Sequence, residues 1–207
     1  MNKIKVIGLG PGHPDYVLPK AKKEIEALNV LVGGKRNLFS LDTSDKAVYE
    51  IKGNLENMNS FIKENLKNSD IGVVVSGDTG FYSMLRYIKR NYPDEQIEVI
   101  PGLSSIQYMF SRINESWEDA CLTSLHGREI DLKNVLQQYN KVGILTDNKW
   151  KPQNIAKKLL EEGYENKIMY VGENLSYDDE RITKGSLQVI INAKPFNMCV
   201  VVITDEK

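Results

Sequence analysis

Cysteine and histidine are scarce, two of each in 207 residues, and Cys121, Cys199, His13 and His126 are not spaced as metal ligands. No zinc site is expected. Both thiols are expected to be reduced, Cys199 inside the apolar run Met198–Ile203, which suits a cytoplasmic setting. No apolar run approaches the ~18 residues of a membrane span. Residues 1–12 lack the long apolar core of a signal peptide, so neither export nor a membrane location is expected. A charge excess of either sign is also missing: 27 basic against 28 acidic side chains leave a net charge of −1, and nothing in that balance points to nucleic acid. Repeats, low-complexity tracts and a Gly/Ser linker are absent. What remains, 41% hydrophobic and 27% charged residues, suits a globular chain able to bury one large core or two modest ones.

Strand-like and helix-like segments alternate. Ile4–Ile7 reads as a strand, and Pro19 opens a helix whose Ala21, Ile25 and Leu28 share one stripe. Val30–Val32 is a second strand, and Leu55–Leu66 a helix with Leu55, Met58, Ile62 and Leu66 in period. The unbroken run Ile71–Val75 suits a central parallel strand covered on both faces. Tyr82–Tyr92 reads as a helix, Ile97–Ile100 as a strand and Ile106–Arg112 as a helix. Beyond the polar segment Asn114–Asp119, strands are expected at Val142–Thr146, Ile168–Val171 and Met198–Thr204, with a helix at Gln153–Glu161 and a strand plus a short connecting element across 180–190. The expectation is two α/β domains, 1–113 with a mostly parallel sheet and 114–207 with a mixed sheet.

Three strand-to-helix turns are rich in small residues: Gly8-Leu9-Gly10-Pro11-Gly12, Ser76-Gly77-Asp78-Thr79-Gly80 and Pro101-Gly102-Leu103-Ser104-Ser105. The first is not a dinucleotide fingerprint. Its third glycine comes one residue early, and Val30–Val32 leads into Gly33-Gly34-Lys35-Arg36 with no carboxylate for a ribose. A phosphate-gripping Lys-Ser/Thr pair is also missing. Each turn has a structural alternative, Asp78 capping its own turn or Ser104 acting as an N-cap. In a parallel sheet, however, all three belong to the carboxyl edge, and together they favour a bound ligand.

The order of these turns resembles the tetrapyrrole methylase family, the S-adenosylmethionine-dependent enzymes of corrin and sirohaem synthesis, along nearly the whole chain. Ser76–Ser83, Ser124-Leu125-His126-Gly127-Arg128 and Thr146-Asp147 most resemble the members that methylate carbon 5 of cobalt-precorrin-7. Two positions depart from the family pattern: Thr79 stands where Pro is usual, and Leu18-Pro19 where Leu-Thr is more frequent. The resemblance implies S-adenosylmethionine as cofactor, lying in a cleft between the two domains. Leu9 and Gly10 would line it, Gly77, Asp78 and Phe81 would meet its methionine or ribose portion, and Ser104 and Ser105 its polar edge. Thr146, Leu175 and Met198 would close around the adenine, with a core position an equal alternative for Leu175 and Met198.

A tetrapyrrole carries several carboxylates, so cationic donors are expected: His126 and Arg128 first, then Arg112, with Lys35, Arg36, Lys149 and His13 as further candidates. A surface turn with a capping histidine is the alternative at His126-Gly127-Arg128. No catalytic residue and no protein-bound metal are assigned. The resemblance also implies a homodimer and functional pairing with a decarboxylating carbon-15 methyltransferase. Other acceptors within the family, uroporphyrinogen or the modified histidine of diphthine synthesis, remain alternatives, as does a non-catalytic module binding the cofactor or a tetrapyrrole.

Overall fold

The computed structural model describes every residue except His126, Arg128, Glu129 and Lys207. It divides into two units, Met1–Ser104 and Ser105–Lys207. The first runs β1 (Ile4–Gly8), α1 (Pro19–Ala27), β2 (Val30–Gly33), α2 (Lys35–Phe39), β3 (Ala47–Glu50), α3 (Leu55–Asn65), β4 (Ile71–Val75), α4 (Leu85–Asn91) and β5 (Ile97–Ile100). Its strands pair in the order β3-β2-β4-β1-β5, every pairing parallel.

Successive side chains of a strand point to opposite faces, so β4 feeds two cores at once. Val73 and Val75 join Val6, Val32, Met58, Ile62 and Ile88 beneath α3 and α4. Val74 joins Ile7, Leu31, Ala21, Ile25 and Leu38 beneath α1 and α2. That double coverage explains why β4 tolerates no polar position. Short α2 and β3 escape the sequence reading because α2 is mostly exposed and β3, an edge strand, has no fully buried residue. The helix expected over Tyr82–Tyr92 begins only at Leu85. Tyr82 adopts a left-handed φ of 53°, and the Ser83 hydroxyl donates to the Thr79 carbonyl while Oγ accepts from Leu85 N, so the preceding residues form a bend instead.

The second unit runs α5 (Ser105–Arg112), β6 (Cys121–Ser124), α6 (Leu132–Gln138), β7 (Lys141–Leu145), α7 (Pro152–Glu161), β8 (Lys167–Glu173), β9 (Arg181–Ser186), α8 (Leu187–Ile191) and β10 (Cys199–Asp205). Its sheet, β6-β7-β10-β8-β9, is mixed: β6–β7 is parallel and the other three pairings are antiparallel. Val142, Ile144, Val201 and Ile203 pack with Ile155, Ala156 and Leu159 of α7 and with Leu187 and Ile190 of α8. The helix α5, which the sequence grouped with the first half, falls in this unit. A β-carbon at Gly143 on β7 would meet Ile106 and Phe110, and one at Gly172 on β8 would meet Met109, so glycine at both positions lets α5 lie close to the sheet. Both cysteines are free. No helix of the described residues is long and apolar enough to cross a membrane.

Candidate active site

The first sheet delivers its three small-residue turns to one place. Beyond β1, Leu9 N donates to Val75 O at 2.9 Å. Gly10 and Gly77 then exchange both backbone hydrogen bonds, at 3.2 and 2.7 Å, each with a positive φ (77° and 68°) that a side chain would strain. The third turn comes equally close: a β-carbon on Gly8 would stand 2.7 Å from both Gly102 N and Gly77 O, and one on Gly102 would run into that same Gly77 oxygen. Asp78 completes the clasp, Oδ1 accepting from Gly80 N at 2.8 Å and Oδ2 from Gly102 N at 3.3 Å. Leu9 and Ser104 are buried beside these turns, Thr79 is 2% exposed, and the Phe81 and Tyr82 rings meet edge to face at 4.8 Å.

A fourth segment reaches this edge from β2. Arg36 Nη2 donates to Ser76 Oγ at 3.0 Å, and the Ser76 hydroxyl donates to Asn37 Oδ1 at 2.8 Å. The Gly33-Gly34 break, which places Lys35 and Arg36 at the carboxyl end of a parallel strand, was the available sequence signal. The bond to a residue forty positions away was not.

In the second unit the candidate residues lie in diverse surroundings. The Thr146 hydroxyl donates to Cys199 O at 2.7 Å, with Cys199 Sγ 3.3 Å away. Leu175 is buried over Gly172, whereas Met198 is 45% exposed and accepts Asn174 N through its carbonyl at 2.9 Å. Asn174 and Ser176 both hold positive φ, 48° and 71°, fixed by Asn174 Nδ2 on Asp179 at 2.7 Å and Ser176 N on Glu180 at 2.7 Å. Glu180 also accepts from Arg112 Nε at 2.7 Å, so a substrate carboxylate at Arg112 would compete with that pairing. Burial acts to raise the Glu180 carboxyl, but the Ser176 N–H, Tyr108 and Arg112 outweigh it and hold it below the usual glutamate range. Asp147 accepts from Gly127 N at 3.0 Å and from Lys149 N and Trp150 N; His126 and Arg128 lie outside the described residues.

Residues 3–190 match the model of the Tetrapyrrole (Corrin/Porphyrin) Methylases. The chain belongs to that family. It is 36% identical over 198 residues to a probable cobalt-precorrin-7 C(5)-methyltransferase of Methanocaldococcus jannaschii, spanning 91% of this chain and 92% of that protein. It is 31% identical over 204 residues to the cobalt-precorrin-7 C(5)-methyltransferase of Salmonella typhimurium, spanning 99% and 100%. The fold is that of a uroporphyrin-III C-methyl transferase from Thermus thermophilus solved with S-adenyl homocysteine, at a TM-score of 0.79 and 17% identity over 98% of this chain and 97% of that one.

The donor set of the first unit suits the family's cofactor. A sulfonium amino acid joined to a nucleoside needs apolar walls, neutral hydroxyl and amide groups and an acidic group, with no phosphate grip. Leu9, Phe81, the glycine backbones, Ser104 and Asp78 supply those types, and these turns carry no lysine or arginine.

Proposed function

We infer that this methylase transfers a methyl group from S-adenosylmethionine to carbon 5 of cobalt-precorrin-7 in cobalamin biosynthesis. The observation that carries the reading is the mutual pinning of three turns at the carboxyl edge of the first sheet, in a chain alike from end to end to relatives bearing that name. Bound S-adenosylmethionine supplies an electrophilic methyl group on a sulfonium. Leu9 and Gly10 line its site, Gly77, Asp78 and Phe81 meet the methionine or ribose portion, and Ser104 hydrogen-bonds the polar edge. Ser105, Thr146, Leu175 and Met198 join them on the resemblance alone, as do His126, Arg128 and Arg112 for the substrate.

No strong base is required. An electron-rich ring carbon displaces a neutral leaving group, and a proton released afterwards can go to water or a weak base. The protein's work is to position and to exclude water. Holding nucleophile and methyl carbon in near-attack geometry is worth up to ~7–11 kcal/mol of barrier, and fixed dipoles replace the hydration of the sulfonium. The cross-linked glycine turns suit this because their backbone need not reorganise when the cofactor enters. A homodimer, a cytoplasmic setting and functional pairing with a decarboxylating carbon-15 methyltransferase belong to the same reading.

The test is incubation with labelled S-adenosylmethionine and a panel of precorrins, with and without cobalt. A cobalt-precorrin-7 product heavier by one methyl group is expected. Cofactor binding without label transfer to any tetrapyrrole would contradict the assignment and favour a binding module.

A further inference from the structure

We propose that Arg36, oriented by Ser76 and Asn37, is the anchor for a carboxylate of the tetrapyrrole substrate; this rests on the methyltransferase reading above. Arg36 lies in the first turn of α2, which begins two residues beyond the end of β2, and β2 lies beside β4 in the parallel sheet, so its backbone stands at the edge where the pinned turns gather. Its guanidinium is tied to those turns through Ser76 Oγ at 3.0 Å. Ser76 precedes Gly77, which shares both backbone hydrogen bonds with Gly10 and whose carbonyl abuts Gly102. The cation is thereby referenced to the cofactor turns and not left to swing on its own stem.

The direction of the hydrogen bonds matters. Because Ser76 gives its proton to Asn37 Oδ1 at 2.8 Å, its lone pairs are presented to Arg36 Nη2. A hydroxyl acceptor orients the guanidinium plane at this edge. Tetrapyrrole intermediates carry acetate and propionate side chains, ionised at neutral pH, and the planar fork of arginine matches a carboxylate in two parallel hydrogen bonds. A macrocycle seated by one such chain would lie at the same end of the sheet as the pinned turns.

The experiment is steady-state methylation at saturating S-adenosylmethionine, varying the tetrapyrrole, for wild type, Arg36→Gln, Arg36→Lys and Ser76→Ala, with cofactor affinity measured by calorimetry. Loss of a charge-assisted hydrogen bond predicts a rise in tetrapyrrole KM of about tenfold or more for Arg36→Gln, with cofactor Kd within about twofold of wild type. Arg36→Lys recovers part of that loss, and Ser76→Ala raises KM less and adds nothing when combined with Arg36→Gln. An unchanged KM in Arg36→Gln overturns the inference, as does a KM rise matched by an equal loss of cofactor affinity. If wild type methylates no tetrapyrrole, the reaction assigned above fails. The anchor is then judged by direct tetrapyrrole titration, where it requires weaker binding by Arg36→Gln and is refuted by equal binding.

Discussion

At the scale of single residues, Gly102 shows how tightly the site is drawn. One methyl group there would meet Gly77 O and the backbone of Gly8, all main-chain atoms with no side chain to swing aside. Gly102→Ala is expected to cost about 1–3 kcal/mol of stability, as overpacking does, and to weaken S-adenosylmethionine binding; denaturant unfolding and calorimetry measure the two. Asp78 is a second such point. Its two oxygens each hold a backbone N–H, so Asp78→Ala frees Gly80 and Gly102 and should weaken cofactor binding more than substrate binding, whereas Asp78→Asn, keeping one acceptor, should fall between. Equal cofactor affinity in wild type and Asp78→Ala would contradict the placement. The glycines themselves were readable in the sequence, since φ > 0 and close approach are what glycine is for. The Asp78 bond to Gly102 and the Arg36 bond to Ser76 were not, because each joins residues far apart in the chain and depends on strand order.

At the scale of elements, legibility followed burial. The run Ile71–Val75 announced β4 because a strand covered on both faces must be apolar throughout, and α3 declared itself through Met58 and Ile62. The edge strand β3 and five-residue α2 carry no such constraint. The helix α5 is legible as a helix, but Ile106, Met109 and Phe110 mark a buried face without naming the sheet that buries it. Phe110→Ala should destabilise by roughly 3–5 kcal/mol and loosen amide protection in β7 and β10 while β1 and β4 stay protected; the reverse pattern would refute the packing. Helix α1 offers a pH test. Lys20 and then Lys5 on β1 hold the Glu24 carboxyl at about 2, below its ordinary 4.5. A depressed carboxylate contributes stability above the unfolded value and loses it as pH falls through the folded one. Glu24→Gln should therefore make stability less acid-sensitive between about 4.5 and 2, measured by unfolding across that range.

For the whole molecule, the alternation of strands and helices was enough to foresee a parallel sheet followed by a mixed one, since βαβ connections and apolar runs leave little else. The point of division was less visible. The polar stretch Asn114–Asp119 looks like a boundary, yet the two units part between Ser104 and Ser105, directly after the third turn. Composition marks solvent exposure, and a boundary set by packing need not be polar. The three pinned turns of the first unit are proposed as the seat of the methyl donor. The most direct test is a crystal structure grown with S-adenosylhomocysteine. Density is expected against Leu9, Asp78 and Ser104 at the carboxyl edge of the first sheet; a product bound elsewhere, or no density there at saturating concentration, would refute that placement.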